Sequence, residues 1–497
     1  ISSQPKYMAT RSSKSVLFLS GDPIRCLRTA KFLGLTLDDS LTWEPHLKQL
    51  KKKCLQSLNI IKVLAHTKWG AETKCLIRIY QAVILSKIDY GCIVYSSARK
   101  STLATLNSIH NTAIRYCLGA FPTSPTNSLY CESGVPPLDT RRKQLIASYM
   151  TKISSLPLHP NRVILNIDMQ LYRLKPTITR PACIRFQEHL EQRRIVPPAP
   201  LHEMMLDTVP WKVPEIKIRK DLMRYKKEIT KQPTYLQAYE NLLNEYPSYQ
   251  PVYTDGSKNA YGVGSAIVTE GVAYEWSLNT NSSPIFAEQY ALWQAVLYCS
   301  MMENNRFLVV TDCMNILNGL KKIYNTDPMN IMLQSAIHRI SEQGKSLEFI
   351  WVPSHVGISG NEQADQAARR AISNQQTDVN FMVASDIRRH LSQIKPIPTT
   401  LYTLQDASRE DNVKMHRLRI GHTKVTHEHL LKNTVPRQCN HCNTAITVTH
   451  IISHCPLYNN ERLINGILPN YIDNFINPEN AMKMVRFLKM INIYADI

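Results

Sequence analysis

Residues 251–375 carry the pattern that most narrows the fold. Three short runs, "VYTDGS", "GVGSAIVT" and "GVAYEWSL", are rich in strand-forming residues, separated by turn residues, and followed by the helically spaced "IFAEQYALWQAVLYCSMM". Strand-like "RFLVVTD", helical "MNILNGLKKI" and "MNIMLQSAIHRISEQG", strand-like "LEFIWVPS" and helical "NEQADQAARRAI" complete the order. A meander that gives way to alternating strands and helices predicts an α/β domain, a mixed five-stranded sheet with helices on its faces. In such a sheet the first and fourth strands lie side by side at the centre.

Charge separates this segment from its flanks. The whole chain carries a formal net charge of +20, yet residues 251–375 hold 8 Lys and Arg against 11 Asp and Glu. An acidic centre between basic flanks suits a cation-collecting site on a scaffold that attracts phosphate, so nucleic acid is the first partner to consider. No apolar run approaches the ~20 residues a bilayer crossing needs, so no membrane partner is expected. The 12 cysteines form no dense framework, which points to reduced thiols and an intracellular protein, nuclear or cytoplasmic rather than secreted. Its oligomeric state is not legible.

At 497 residues the chain is too long for one core. Residues 1–155 read as strands ("SVLFLSG", "KFLGLTLDD") leading into helices ("HLKQLKKKCLQSLNIIKVLAH", "KCLIRIYQAVILSKIDYG"), and the proline-bearing 156–249 as a linker with short helices. After the domain at 250–375 come a linker and basic helical segment (376–434), a Cys/His module (435–460) and a helical tail (461–497). The first residue is Ile1, not Met, and the chain reads as a piece of a longer polypeptide.

Asp255, Glu288, Asp312 and Asp365 fall where strands end or helices begin. Each has an ordinary explanation: Asp255-Gly256 as a hairpin turn, Glu288 in a first helical turn, Asp312 as a cap, Asp365 paired with Arg369. Together they converge on one sheet edge, where four carboxylates would repel unless cations neutralise them. Hard oxygen sites select Mg²⁺ or Mn²⁺, and two such ions support phosphodiester hydrolysis. His355, on a loop with Gly357 and Gly360, is the candidate for proton exchange near the leaving group.

These residues also carry a resemblance. "YTDGS" (253–257), "AE" (287–288), "VTD" (310–312) and "WVPSHVGISGNEQAD" (351–365) make residues 251–372 similar to a type 1 ribonuclease H domain. The resemblance implies endonucleolytic hydrolysis of the RNA strand of an RNA–DNA hybrid by two magnesium ions. It puts Asp255 between the two, Glu288 and Asp312 on one, Asp365 on the other, and His355 in proton transfer and product release. Gly256, Ser257 and Asn361 are candidate readers of the 2′-hydroxyl in the shallow minor groove. Two departures stand out: Cys313 replaces a usual serine, and no long basic loop lies between Asp312 and Asp365, so substrate grip is expected from the flanking modules.

Further on, Cys439, Cys442, His450 and Cys455 have spacings that allow one tetrahedral, structural Zn²⁺, with His441 and His454 as rival ligands. The preceding "MHRLRIGHTKVTHEHLLKN" is expected to offer Lys and Arg to phosphate, or else a solvated helix face. The Cys-Cys-His-Cys module and "RLRIGHTKVTHEHLL" resemble the end of jockey-like non-LTR retrotransposon polyproteins. "KFLGLTLDDSLTWEPHL" (31–47), "AHTKWGAETKCLIRIYQAVILSKIDYGCIVYSSARKS" (65–101) and "LGAFPTSPTNSLYCESGVPPL" (118–138) resemble the end of the reverse transcriptase of that family, its primer-gripping hairpin and helical thumb. The paired aspartates of a polymerase site are not among these residues, so copying is not expected of this stretch. The competing expectation is a nucleic-acid-binding remnant without catalysis.

Overall fold

The computed structural model describes residues 18–19, 22–23, 27–174, 179–202, 215–374, 376–393, 404, 407–470, 472–476 and 478–497. The chain divides into two compact units. A sheet unit comprises Ala147–Arg173 and Cys183–Ile394; a helical unit comprises Ile1–Ile146, Leu174–Ala182 and Lys395–Ile497. Among the described residues no helix is long and apolar enough to cross a membrane.

In the sheet unit the elements that bear on the site are β1 (Ile218–Arg219), α1 (Gln232–Asn244), β2 (Gln250–Lys258), β3 (Val263–Thr269), β4 (Val272–Leu278) and α2 (Pro284–Met301). They continue as β5 (Arg306–Thr311), α3 (Met314–Leu320), α4 (Pro328–Glu342), β6 (Ser346–Trp351) and α5 (Ser359–Ala371). The strand order is β1-β6-β5-β2-β3-β4, parallel from β1 to β2 and antiparallel through the meander. The five predicted strands are all present, and β2 and β5 pair at the centre as expected. The sixth strand, β1, is an addition: Ile218 and Arg219 pair with Phe349 and Ile350 along the edge of β6. Main-chain groups of an otherwise open edge recruit it, and two residues leave no periodic trace in sequence.

Both faces of the sheet are covered. Val252, Phe307, Val309 and Phe349 are buried with Leu292 and Val296 of α2 and Leu333 and Ile337 of α4. On α5 the buried face is largely alanine (Ala364, Ala367, Ala368) and meets Ala266 and Val268 of β3, so small side chains set a short helix-to-sheet distance. Residues 376–393, expected within a linker, are tied to the same unit: the buried Asp386 carboxylate accepts from the Ser283 N–H and hydroxyl, both at 2.8 Å, just ahead of α2.

In the helical unit "KFLGLTLDD" forms two strands, not one. Thr29–Phe32 and Leu35–Asp38 pair antiparallel around Leu33 and Gly34, both at positive φ, the backbone a two-residue hairpin turn needs. Of "SVLFLSG", only Phe18–Leu19 is described, paired with Asp22–Pro23; the rest lies outside the described residues. The core joins Leu47, Leu58 and Ile61 of helix Glu44–Leu64 to Tyr80, Ile84, Ile109 and Ile114 of the following helices, and also takes in Ile420. Helix Arg409–Ile420 is neither a solvated face nor a phosphate comb. Its His416 is enclosed, with Nε2 3.1 Å from the Thr73 hydroxyl and Nδ1 2.6 Å from Glu132. Arg409 donates to Thr73, Arg417 to the Gly119 carbonyl, and Arg419 to Glu132.

Candidate active site

The register of β2 and β5, Val310 opposite Tyr253, continues to bring Asp255 level with Asp312 at the carboxyl end of the sheet centre. Asp255 lies inside β2, opposite Ala266 of β3, so the hairpin-turn explanation fails. Asp312 follows β5 directly; its carbonyl accepts from the Trp351 indole N–H at 2.9 Å, and the residue at the cap of α3 is Cys313, with no side-chain cap bond. Ser283 caps α2 by accepting from the Phe286 N–H. Glu288 therefore sits in the second turn, one turn deeper than expected, where the macrodipole has little hold on it.

Why Glu288 reaches Asp255 is explained by Gly256. A Cβ there would stand 2.4 Å from the Glu288 nitrogen and 2.6 Å from the Ala287 carbonyl carbon, so β2 and α2 approach backbone to backbone. The Ser265 hydroxyl, donating to the Ala287 carbonyl at 3.0 Å, fixes the same turn from β3.

Carboxylate oxygens of Asp255, Glu288 and Asp312 come within 4.8 Å of one another. Asp255 is buried, and the Glu288 Oε2 is buried without a hydrogen-bond partner among the described residues. Burial first, then the neighbouring carboxylates, raise Asp255 and Glu288 far above the ordinary range; Asp312 is raised by burial and by Asp365, and is drawn down by His355. An all-oxygen pocket with an unpaired carboxylate oxygen suits a hard divalent cation.

Asp365 is not in that trio. It projects from α5 beside it, near enough to add to the repulsion on all three. Its Oδ1 accepts from Arg369 at 2.9 Å and its Oδ2 is 4.0 Å from His355 Nδ1. His355, half exposed at φ 54°, thus faces Asp365, and also a residue that sequence reasoning missed: Glu362, with Oε2 3.8 Å from His355 Nδ1 and Oε1 accepting from the Gly357 N–H at 3.3 Å. His355, Glu362 and Asp365 form a second group within 4.8 Å. Of the candidate substrate readers, Gly256 and Ser257 are half-buried near Asp255, while Asn361 is buried with its Oδ1 unpartnered among the described residues.

Residues 248–373 match the family model described as RNase H. This segment is a ribonuclease H domain. The ribonuclease H domain occurs in a chain with homology to retrotransposon polymerases. Over 143 residues it is 26% identical to the RNA-directed DNA polymerase from mobile element jockey of Drosophila melanogaster, 29% of this chain and 15% of that protein. Over 145 residues it is 23% identical to the jockey protein of Drosophila funebris, with 29% and 15% covered. A probable RNA-directed DNA polymerase from transposon BS of Drosophila melanogaster is 30% identical over 86 residues, 17% of this chain and 10% of the relative. The matched stretches span at most 15% of these relatives' length, and the whole is consistent with a jockey-like non-LTR retrotransposon polyprotein.

A separate cluster lies in the helical unit. Ligand atoms of Cys439, Cys442, His450 and Cys455 are within 4.8 Å of one another, with Cys455 Sγ 3.8 Å from both other sulfurs. His441 and His454 stand outside the group. The Cys439 N–H donates to the Thr444 carbonyl and the Asn443 N–H to the Cys439 carbonyl, closing a knuckle around the first two cysteines. The imidazole of His450 holds the Cys439 thiol down at about 6, while burial and the neighbouring sulfurs push Cys442 up to about 11; three sulfurs and one imidazole gathered within 4.8 Å make the donor set compatible with zinc.

Proposed function

We propose that the sheet unit hydrolyses the RNA strand of RNA–DNA hybrids in a reaction dependent on Mg²⁺ or Mn²⁺. The observation that carries this reading is the trio of buried Asp255 and half-buried Glu288 and Asp312, converged on the carboxyl end of β2 and β5 with the Glu288 Oε2 unpaired among the described residues. Bound divalent ions would activate water and offset charge on the phosphate and the leaving oxygen. Asp255, Glu288 and Asp312 would hold one such ion, and Asp365, beside them on α5, would help to hold a second. Arg369, donating to Asp365 Oδ1 at 2.9 Å, holds that carboxylate in place. His355, carried on a half-exposed loop, exchanges a proton near the departing 3′-oxygen, and Glu362 orients it. Gly256, Ser257 and Asn361 line the path of the RNA strand, where the 2′-hydroxyl separates RNA from DNA.

The Cys/His knuckle we assign to one structural Zn²⁺ held by Cys439, Cys442, His450 and Cys455, with no open position for chemistry. As a piece of a polyprotein the chain acts inside the cell on retrotransposon intermediates. The test is cleavage of a hybrid labelled on its RNA strand: the wild type cuts with Mg²⁺, and Asp312→Asn, which removes a charge at constant shape, leaves less than about a hundredth of the rate. A wild type that binds the hybrid but leaves it whole with either metal makes the chain a binding remnant instead.

A further inference from the structure

The ribonuclease H match begins at residue 248, yet the elements just before it reach the active site. Leu222, in the 3₁₀ turn Asp221–Arg224 after β1, is buried with Val356 and Ile358, the residues that follow His355 in the loop. The Tyr225 ring packs edge-on to Tyr235 of α1, whose hydroxyl donates to the Tyr225 carbonyl at 3.1 Å. Gln232 at the start of α1 abuts Gly357 so closely that a Cβ there would lie 1.7 Å from its Nε2. The extension is thus built against the His355 loop from outside the family segment.

Its surface is basic. Arg224, Lys226, Lys227 and Lys231 are exposed, with Glu228 as the one acidic residue between them; the Arg224 charge acts on Asp221, whereas none of the three lysines forms an ion pair within 4 Å among the described residues. Lys227 Nζ is 3.5 Å from the hydroxyl of Ser354, which immediately precedes His355, and its charge reaches Asp312. Elsewhere on the extension the cations are engaged: Lys217 with Glu348, Arg219 with Asp221 and Glu245, Lys220 with Asn318. Meanwhile residues 251–375 are net acidic, and the stretch between Asp312 and Asp365 concentrates positive charge only at Lys321 and Lys322. A domain that must hold a polyanion beside a carboxylate cluster needs cations from elsewhere.

We propose that residues 224–231 are a substrate-binding strap, with Lys226, Lys227 and Lys231 contacting backbone phosphates of the hybrid next to the cleavage position. The proposal rests on the hydrolase reading for its ligand, but is tested by binding. The full chain is titrated with a fluorescent RNA–DNA hybrid in magnesium-free buffer without chelator across a salt series, comparing wild type with Lys226→Ala/Lys227→Ala/Lys231→Ala and with Lys217→Ala as the paired-cation control. Each phosphate contact contributes about 0.9 to the slope of log affinity against log salt. The triple variant should lose roughly 2 to 3 from that slope and bind at least tenfold more weakly near 0.1 M salt; with Mg²⁺ its KM should rise while kcat stays within about twofold. Lys217→Ala should match the wild type. Unchanged slope and affinity in the triple variant overturn the strap. If wild type fails to cleave while the slope still depends on these lysines, the strap stands and the hydrolase reading falls.

Discussion

Gly256 shows how one missing methyl group makes a site. With the helix backbone 2.4 Å from where its Cβ would be, Gly256→Ala must push α2 off β2 and carry Glu288 away from Asp255. We expect about 1–3 kcal/mol of destabilisation from overpacking and a larger loss of cleavage, since misplacing a ligand by an ångström costs more than the strain itself. Thermal melts and hybrid-cleavage rates of the variant separate the two effects; full activity would contradict the close-approach argument. Glu362 makes a second case. Its carboxylate ties the Gly357 N–H and faces His355, which is held at an unfavourable positive φ. Glu362→Ala should therefore lower kcat by roughly tenfold with KM little changed, and should add nothing further in a His355→Ala background. Multiplying effects in the double variant would show that the two residues act independently. That the four carboxylates and His355 gather at one end of the sheet was legible because a motif frames each of them. Glu362 was not: an acid early in a helix already satisfies the macrodipole, and only the fold turns it toward His355.

At the level of elements, the pattern of strands and helices in 251–375 was legible because periods of 2 and 3.6 alternate cleanly there. Where the reading fell short, the cause was pairing or burial that local sequence does not encode. β1 is two residues long and exists because β6 offers an edge. Leu33-Gly34 lacks the usual Asn or Asp of a tight hairpin, so strand propensity alone read one strand there, and only the family resemblance implied the hairpin. Helix Arg409–Ile420 looks solvated by composition, yet its buried residues include Arg409, Asn412, Lys414 and His416. There the cost of burying charge is offset by partners far away in sequence, Thr73 and Glu132. Removing one partner strands the others: Glu132→Ala should destabilise the helical unit by about 3–5 kcal/mol, whereas Lys143→Ala, in an exposed pair with Asp139, should cost under 1. Chemical denaturation monitored by circular dichroism decides it. The Cys/His knuckle makes a parallel forecast for the tail. Metal analysis of protein prepared without chelator should find about one zinc per chain, lost together in Cys439→Ser and Cys455→Ser.

For the whole molecule, the two units store ionisable groups of opposite kind, and this gives acid opposite effects on them. In the helical unit burial holds His110 down at about 4, and burial likewise lowers the enclosed His416. Their unfolded counterparts titrate near 6.5, so below that pH the unfolded chain binds more protons, and stability is lost as pH falls from 6.5 toward 4. For His110 alone the full change is on the order of 3 kcal/mol. In the metal-free sheet unit the sign reverses. Asp255, Glu288 and Asp312 are raised above unfolded carboxylates, so the folded state binds the extra protons and stability is lost as pH rises through the window between the unfolded and folded values. Calorimetry in magnesium-free buffer without chelator from pH 8 to pH 5 should therefore show one transition moving to lower temperature and another to higher temperature. Adding Mg²⁺ at pH 8 should raise only the second, because a bound cation relieves the same repulsion that protons relieve at pH 5. Two transitions moving in parallel with pH, or a magnesium effect on the first alone, would mean that the carboxylate trio is not the electrostatic weak point of the sheet unit.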